Sequence, residues 1–473
     1  MINKLIVFFC CLFFLTNEKT SKTDAHPIHK SMIQKVDTAE ADAPLEGQIY
    51  NAKVLKSFFQ KLEENEDQKN QKINIVHIGD SHIQGDLMTN EIRKNLQQKF
   101  GNAGRGLVFP YQLAKTNGSY NERFKSNRVW ESYRNIYPFK NNPVGLSGIG
   151  LWRDSGGFVV EMNIKDPSYK FNTIKIITPK NQNMFDLAVS SKVNSIQTTE
   201  RKVITHKIKK GEVLGSIADK YNVSVAEIKS ENRLKSNAIR AGRTLKISTN
   251  ETRAKTISMS EFVPLAIESD SYSHYYNSDN ALSRIFLIPN KGASNYELNG
   301  LVLEKDSPGI IYSGIGVNGA KFSDYNKYPL FFEQLKALHP DLLVFSLGTN
   351  ESYEHLESGN YIKELREFIN NIKAQKIDAP IIIMTPPPSL LRRKPNTYID
   401  DYTRQIIDIA QKDGFAVWDL YDEFGGMNGI KQLKVQGLIG PDWVHYSKKG
   451  YEKQGNLFTQ AFLKTYDNFK LKN

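Results

Sequence analysis

The chain has 473 residues, enough for two or three domains of about 150 residues each. Its hydrophobic content of 40% and charged content of 24% are ordinary for a globular protein, and its net charge is +12. The basic residues are spread along the chain without a nucleic-acid-binding signature. The charge therefore excludes no class of globular protein and mildly favours an acidic polymer, such as a cell-wall glycan, over a nucleic acid as partner.

The N-terminal segment has the pattern of a secretory signal. Lys4 precedes the apolar run Leu5–Leu15, which is too short to span a membrane as a helix. We predict a signal peptide over residues 1–25 and a polar linker over 26–49, with a signal anchor as the alternative. The protein is then exported and is periplasmic or associated with the cell wall.

The cysteine positions limit the chemistry of the mature chain. The only two cysteines, Cys10 and Cys11, lie within the apolar run. A chain without this run has no thiol for a disulfide, a cysteine nucleophile or a thiolate metal site. No later apolar run is long enough for a spanning helix, so we predict no stable membrane insertion after signal removal.

A strand, a tight turn and a helix follow. A helical pattern runs from Tyr50 to Asn65, and Ile73–Ile78 predicts a short strand that ends at the turn Gly79–His82 (GDSH). Asp86–Lys99 then carries a second helical pattern. An α/β protein presents a nucleophilic hydroxyl at such a turn, at the carboxyl end of its sheet. Ser81 is therefore a candidate nucleophile, and an ordinary Gly-Asp-Ser turn is the alternative.

The middle of the chain has a β pattern in two blocks. Glycine-rich Gly101–Pro110 is predicted as a loop near the site, and the pattern changes to β from about residue 126. We predict a β-sandwich-like module in two parts, 126–203 and 249–309, separated by an insert. Its clearest predicted strands or β segments are Phe158–Ile164, Phe171–Ile177, Thr256–Ile267, Arg284–Pro289 and Leu298–Leu303.

The insert, residues 204–248, predicts a strand, two helices and a strand. It resembles a LysM domain, although Glu212-Val213 stands where Asp-Thr is usual and Ala241 stands where Pro is usual. The matching residues are Lys210–Leu214, Ile217, Ala218, Lys220, Tyr221, Val225, Ile228, Asn232 and Gly242–Ile247. The resemblance implies a shallow groove for glycans that contain N-acetylglucosamine, and a packing module without a ligand is the alternative. By that resemblance the glycan-binding residues are Gly211, Glu212, Val213, Leu214, Asn237, Ala238 and Ile239.

The last third of the chain predicts a parallel sheet covered by helices. Asp341–Leu347, Pro380–Met384 and Phe415–Asp419 are continuous apolar runs, as expected of strands buried on both faces, and Ile310–Gly319 ends a further strand. Helical patterns lie between them at Phe331–Leu338, Tyr361–Gln375 and Tyr402–Asp413. The alternation is typical of an α/β domain, here split into residues 50–125 and 310–473.

Three strand-end motifs supply candidate partners for Ser81. A nucleophilic serine needs a base, an acid that orients the base, and donors for the oxyanion. Gly319 offers a backbone N–H, the Asn350 carboxamide is a neutral donor, and Asp442 can hold His445 while the imidazole takes the serine proton. Read singly, the first two motifs are equally consistent with a turn and a helix N-cap, and the third fits a surface histidine capped by Asp better than a catalytic pair.

The order of these motifs resembles the SGNH (GDSL-like) hydrolase family. The resemblance implies a flavodoxin-like three-layer α/β/α fold and ester hydrolysis through an acyl-serine, without a metal or another cofactor. The family usually has Leu where His82 stands and Asp where Glu351 stands. By resemblance the catalytic residues are Ser81, His445 and Asp442, and the oxyanion donors are the N–H groups of Ser81 and Gly319 and the Asn350 side chain.

The predicted function follows from both resemblances. The position of the β module, between the first and second motifs, resembles the domain layout of peptidoglycan O-acetylesterases. We predict an exported serine esterase that removes O-acetyl groups from a cell-wall glycan, peptidoglycan in particular, and is held there by the LysM-like insert. The alternatives are a glycan O-acetyltransferase that uses the same acyl-serine and a glycan-binding protein with an inactive hydrolase domain.

Two other groups of residues compete for a role. His77 is predicted to face the core, whereas His82 could line the pocket beside Ser81. The acidic cluster Glu351, Glu354 and Glu357 with His355 is interpreted as a solvated helix start rather than a metal site.

Overall fold

A computed structural model of the chain describes residues 49–193, 196, 199–254 and 257–472. The predicted signal peptide, both cysteines and nearly all of the predicted linker lie outside the described residues. Within the described part of the chain, no helix is both long and apolar enough to cross a membrane.

The described residues form strands of several sheets, and strands from both sides of the predicted β module build a parallel one. The strands are β1 Lys72–Gly79, β2 Asn102–Gly104, β3 Gly106–Val108, β4 Glu122–Ser126, β5 Glu131–Arg134, β6 Ile149–Arg153, β7 Val160–Ile164, β8 Phe171–Ile177, β9 Phe185–Val189, β10 Thr199–Lys207, β11 Thr244–Ala254, β12 Val263–Pro264, β13 Glu268–Ser269, β14 His274–Leu282, β15 Arg284–Pro289, β16 Tyr296–Leu298, β17 Gly300–Glu304, β18 Gly309–Gly316, β19 Leu342–Ser346, β20 Ile381–Met384, β21 Leu390–Leu391, β22 Lys394–Pro395 and β23 Ala416–Trp418. The parallel sheet has the order β2-β18-β1-β19-β20-β23.

Helices cover both faces of this sheet, and two further short helices lie in the LysM-like insert. They are α1 Lys56–Gln68, α2 Ser81–Gln84, α3 Leu87–Phe100, α4 Leu214–Tyr221, α5 Val225–Glu231, α6 Phe322–Asn326, α7 Pro329–Leu335, α8 Thr349–Tyr353, α9 Ser358–Ala374, α10 Thr397–Asp413, α11 Leu420–Glu423, α12 Gly426–Val435 and α13 Lys448–Lys472. Alternate β1 side chains enter two different cores: Ile75 packs with α1, α3 and α13, whereas Val76 packs with α7, α9 and α10. The predicted three-layer α/β/α fold is confirmed.

Two five-stranded antiparallel sheets form the β module. Their orders are β12-β9-β15-β7-β4 and β13-β14-β8-β17-β3, and a third sheet has the order β16-β6-β5. Met162 of the first sheet and Ile174 of the second belong to the same core, which also includes Val76 of the parallel sheet. The β segment predicted over 256–267 is wrong in extent, because the described residues there form a helical turn, Met259–Glu261, and the two-residue strand β12.

Residues 101–110, predicted as a loop, contain strands of two different sheets. β2 pairs with β18 in the parallel sheet, and β3 pairs with β17 in the β module, with Arg105 alone between them. Gly104 has φ +138, and a Cβ there would lie 2.6 Å from the Glu304 Cα, so glycine is needed at this close approach. Buried Arg105 is paired with Asp86 (2.6 Å) and with Glu122 of β4 (3.2 Å).

The LysM-like insert is carried on a two-stranded ribbon. β10 and β11 pair from Thr199 opposite Ala254 to Lys207 opposite Thr244, so the strands extend beyond the predicted insert 204–248. Helices α4 and α5 pack on the distal half of the ribbon around a separate core that includes Ile217. The predicted strand–helix–helix–strand order of the insert is confirmed.

Candidate active site

A glycine and an aspartate shape the turn that presents Ser81. β1 ends at Gly79, where a Cβ would lie 2.4 Å from Ile83 Cγ1 and 2.7 Å from the Ser346 carbonyl oxygen. Asp80 caps α2, because its Oδ1 accepts a hydrogen bond from the His82 N–H (2.9 Å). Ser81 therefore stands at the start of a short helix, at the carboxyl edge of the parallel sheet.

The three predicted catalytic side chains lie in hydrogen-bond contact. Ser81 Oγ is 2.8 Å from His445 Nε2, and His445 Nδ1 is 2.7 Å from Asp442 Oδ2. The other carboxylate oxygen of Asp442 accepts the N–H groups of Val444 and His445, each at 3.0 Å. Although burial raises the pKa of Asp442, its hydrogen bond with His445 and these backbone N–H groups lower it overall, so the carboxylate is charged at neutral pH. Asp442 thus favours the tautomer in which Nδ1 carries the proton and Nε2 accepts from Ser81.

An open cleft connects the predicted oxyanion donors. Ser81, Gly319, Asn350 and His445 all line a cleft of about 510 Å³, together with Gly85, Leu87, Asn117, Asn318, Thr349, Tyr353, Val444 and Tyr451. A larger cleft of about 630 Å³ lies beside Asp341 and Pro380, at the start of the neighbouring strands and so at the opposite edge of the sheet. We assign the chemistry to the smaller cleft because the Ser–His–Asp contacts open into it.

The Asn350 carboxamide lies over the same turn. Its Nδ2 donates to the Ala320 carbonyl oxygen (3.0 Å) and to Asp80 Oδ2 (3.2 Å). These bonds hold the amide group beside Ser81. Burial raises the pKa of Asp80 to about 7 despite its hydrogen bond from the His82 N–H. Asp80 therefore positions Asn350 as well as shaping the turn.

The interpretation of the acidic cluster as a solvated helix start is wrong for Glu351. Its side chain is fully buried, and its Oε1 accepts the Phe322 N–H at 3.0 Å. Glu354, by contrast, is exposed and paired with Lys321. The first turn of α8 directs Glu351 inward under α6, which the spacing of acidic residues along the sequence could not indicate.

Burial of Glu351 predicts a pH-dependent stability. Burial raises its pKa to about 8, so the folded chain holds one more proton at this site than the unfolded chain between about pH 4.5 and pH 8. The free energy of unfolding should fall as pH rises through this range, by about 1.4 kcal/mol per pH unit from this group. Glu351→Gln should flatten that slope in urea unfolding measured across the range. The exposed Glu357→Gln serves as control, and an equal slope in wild type and Glu351→Gln would contradict the assignment.

Neither competing histidine contacts the Ser81 hydroxyl. His77 faces the core as predicted, bonded to Tyr312 OH (2.8 Å) and Ser346 Oγ (2.6 Å), and burial lowers its pKa to about 3. His82 does not line the cleft: it is buried behind His445, with ring centroids 5.3 Å apart, and its Nδ1 is bonded to Tyr451 OH (3.0 Å). Burial also lowers the pKa of His82 to about 3, so both rings are neutral.

Gln84 is a site residue that sequence reasoning missed. Its Oε1 accepts the N–H of Asn318, next to Gly319, at 2.6 Å. Its Nε2 donates to Thr116 Oγ1 (2.9 Å) and Asn117 Oδ1 (3.1 Å). Gln84 thus ties the turn of Ser81 to the loop of Gly319. Its partners lie 32 to 234 residues away along the chain, so no local pattern could indicate the role.

The predicted glycan-binding residues lie in two loops at the same end of the LysM-like insert. The Ile208 N–H donates to the Arg243 carbonyl oxygen (2.8 Å), which brings the loops on either side of this pair together. Leu214 differs from the rest because its side chain is buried in the core of the insert, which leaves only its backbone for contact. Of the others, Gly211, Val213, Asn237 and Ala238 are exposed, and Glu212 and Ile239 are half-buried.

Comparisons with known proteins agree with both sequence resemblances. Residues 270–453 match the GDSL-like lipase/acylhydrolase family, and residues 206–248 match the LysM domain. The first match includes Gly319, Asn350, Asp442 and His445 and begins after Ser81. Recognition of both families from the sequence is confirmed.

Individual relatives cover different parts of the chain. A solved peptidoglycan O-acetylesterase has 18% sequence identity and a TM-score of 0.59, over 87% of this chain and 96% of its own, which is a likeness of fold. A lipase/acylhydrolase from Enterococcus faecalis covers 32% of this chain and 75% of its own, with 20% identity and a TM-score of 0.26. The N-acetylmuramoyl-L-alanine amidase sle1 of Staphylococcus saprophyticus is 54% identical over 44 residues, and the match spans 14% of that relative's length.

Proposed function

We propose that this chain, an ester hydrolase with a GDSL-like lipase/acylhydrolase region and a LysM domain, is an exported esterase that removes O-acetyl groups from peptidoglycan. One observation carries the proposal: Ser81 Oγ lies 2.8 Å from His445 Nε2, whose ring is held by Asp442 at 2.7 Å. This is the geometry of an activated serine nucleophile.

The proposed reaction proceeds through an acyl-serine. His445 Nε2 takes the Ser81 proton while Oγ attacks the acetyl carbonyl carbon, and the N–H groups of Ser81 and Gly319 stabilise the oxyanion. Asn350 joins them when its Nδ2 turns one N–H away from Ala320 or Asp80 toward the oxyanion. The sugar hydroxyl leaves with the proton from His445. Water, deprotonated by the same imidazole, then releases acetate and restores Ser81. Asp442 orients the ring and stabilises its charged form.

The active-site side chains are open to solvent, as hydrolysis of an acyl-serine requires. The side chains of His445 and Asp442 are 46% and 51% exposed, and the cleft is open. Water can therefore reach an acyl-serine without displacing a lid. Product analysis with an unacetylated acceptor glycan tests this point: an esterase releases free acetate, whereas a transferase moves the acetyl group to the acceptor.

Two findings support peptidoglycan as substrate. The LysM region suggests contact with a glycan that contains N-acetylglucosamine, and the similar fold of a peptidoglycan O-acetylesterase covers 87% of the chain. The test is acetate release from O-acetylated peptidoglycan, with acetylated xylan as control. Faster release from xylan would redirect the proposal to another glycan, and release that Ser81→Ala does not abolish would contradict it.

Removal of the Asn350 amide should slow catalysis with little effect on substrate binding. Asn350→Ala is expected to lower kcat by about 10²–10³-fold, because an oxyanion donor acts in the transition state. The measurement compares kcat and KM of Asn350→Ala with those of wild type on a small acetyl ester. Asn371→Ala, which removes a carboxamide on α9 that bonds Asn326, is the matched control. A change in KM alone would assign Asn350 to ground-state binding instead.

The LysM region should contribute binding without contributing to the chemistry. Ile204 and Ile247 are paired in the ribbon, so residues 205–246 can be replaced by an Asn-Gly turn that joins β10 to β11. The affinity of the variant for insoluble peptidoglycan should be at least about tenfold lower than that of wild type, which corresponds to about 1.4 kcal/mol of binding free energy. Its hydrolysis of a small ester should be unchanged. Sedimentation with cell walls measures binding. Joint loss of binding and small-ester hydrolysis would make the insert a structural element.

A further inference from the structure

A cluster of aromatic side chains from the β module borders the oxyanion loop. It lies in and just after β5 and consists of Tyr133, Tyr137 and Phe139, here called the aromatic platform. The residue beside it that approaches the oxyanion loop is Ile136: a Cβ added at Gly319 would lie 3.7 Å from Ile136 Cδ1. Tyr137 is the next residue along the chain. The platform therefore lies next to the loop of Gly319, which lines the cleft of Ser81.

The rings of the platform are held by packing against neighbouring rings, and part of their surface is exposed to solvent. Tyr137 is 41% exposed and Phe139 is 59% exposed. The Tyr133 and Tyr137 rings are 5.2 Å apart at 64°, and Phe139 packs against Tyr328 at 5.3 Å. The hydroxyl of Tyr133 donates to the Pro138 carbonyl oxygen (2.7 Å), which holds the turn between the rings. Grouped exposed aromatic residues on a soluble protein mark a binding surface.

We propose that the aromatic platform is a subsite for a sugar ring of the glycan strand, beside the ring whose acetyl group is removed; this rests on the function proposed above. A pyranose presents an apolar face of C–H groups and a rim of hydroxyls, and rigid aromatic rings match that face at low entropic cost. Because Ile136 joins the platform to Gly319, a strand with one acetyl group at Ser81 extends across it.

The charge around the platform fits a peptidoglycan strand. Lys140 Nζ lies 5.1 Å from the centre of the Tyr133 ring, and Lys327 Nζ donates to the Tyr137 carbonyl oxygen (3.2 Å). Lys140 is exposed, and Lys327 also pairs with Asp324. Peptidoglycan carries carboxylates, on the peptide or, where no peptide is attached, on the lactyl group, to which an exposed ammonium group is complementary. Neutral xylan lacks these groups.

Dependence on glycan length tests the platform. The probes are an O-acetylated disaccharide and an O-acetylated tetrasaccharide of peptidoglycan, both assayed with the full chain. Wild type should have about tenfold higher kcat/KM on the tetrasaccharide, and the double variant Tyr137→Ala and Phe139→Ala should lose this preference. Tyr137→Phe should retain it. Leu471→Ala, an exposed apolar change at the far end of α13, is the control.

A binding measurement separates this inference from the proposed reaction. Ser81→Ala should bind the unacetylated tetrasaccharide about tenfold more tightly than Ser81→Ala that also carries Tyr137→Ala and Phe139→Ala. If no variant or wild type releases acetate but this difference remains, the reaction is wrong and the subsite stands. If acetate is released and neither length preference nor affinity depends on the two rings, the subsite is overturned.

Discussion

Ser81→Ala is expected to lower kcat on an acetyl ester by about 10⁵–10⁶-fold. The Oγ that lies 2.8 Å from His445 Nε2 is the only atom there that can form the acyl bond, and alanine leaves no substitute. The residual rate should come from direct attack of water on the bound ester, with the oxyanion donors still stabilising the transition state. Release of acetate or of a chromogenic leaving group, measured over hours, gives the comparison.

The control for this change is a serine of the same chemistry away from the cleft. Ser260→Ala removes an exposed hydroxyl that bonds only Ser258 among the hydrogen bonds described for it, and it should leave kcat unaltered. Thermal unfolding of the Ser81 variant should match wild type. Retention of activity in Ser81→Ala would rule out the acyl-serine mechanism, and an inactive wild type would support the alternative of a glycan-binding protein.

His445→Asn should cost about as much as loss of the serine, on the order of 10⁵–10⁶ in kcat. The imidazole accepts the Ser81 proton, and without it the hydroxyl is a weak nucleophile at neutral pH. Because the two side chains act as one unit, the double variant Ser81→Ala and His445→Asn should be no slower than either single variant. Such non-additivity is a stronger test of the pair than either loss alone.

The matched control for His445 is His339, a histidine at the other edge of the sheet. His339 has φ +44, a conformation that asparagine tolerates well, so His339→Asn should leave both fold and rate unchanged. If losses from Ser81→Ala and His445→Asn multiply in the double variant, the two residues act independently. The base would then be another group, and His82, whose ring lies 5.3 Å from that of His445, would be the next to substitute.

Most of the parallel sheet was predictable because its strands are apolar on both faces. The continuous runs that became β19, β20 and β23 are correct to within one or two residues at each end. The neighbouring positions of Ser81, Gly319, Asn350, Asp442 and His445 also followed from chemistry, since the carboxyl ends of parallel strands meet at one edge.

The residues that sequence reasoning missed depend on contacts between distant parts of the chain. Gln84 is important because of the Asn318 N–H, 234 residues away, and Glu351 is buried because α6 covers it. The strands β2 and β3 have three residues each, too short for a period-two pattern to emerge from a glycine-rich segment. The aromatic platform likewise becomes visible only when the β module packs beside Gly319.

The single residue between β2 and β3 limits how the molecule can move. One strand belongs to the hydrolase sheet and the other to the β module, and Arg105 between them is paired to carboxylates of both parts. Such a junction has no room for a hinge, which needs several residues free to change φ and ψ. At this junction the two parts therefore have no pivot about which to move apart. A polymeric substrate would then have to reach the cleft of Ser81 without the two parts moving apart at this junction.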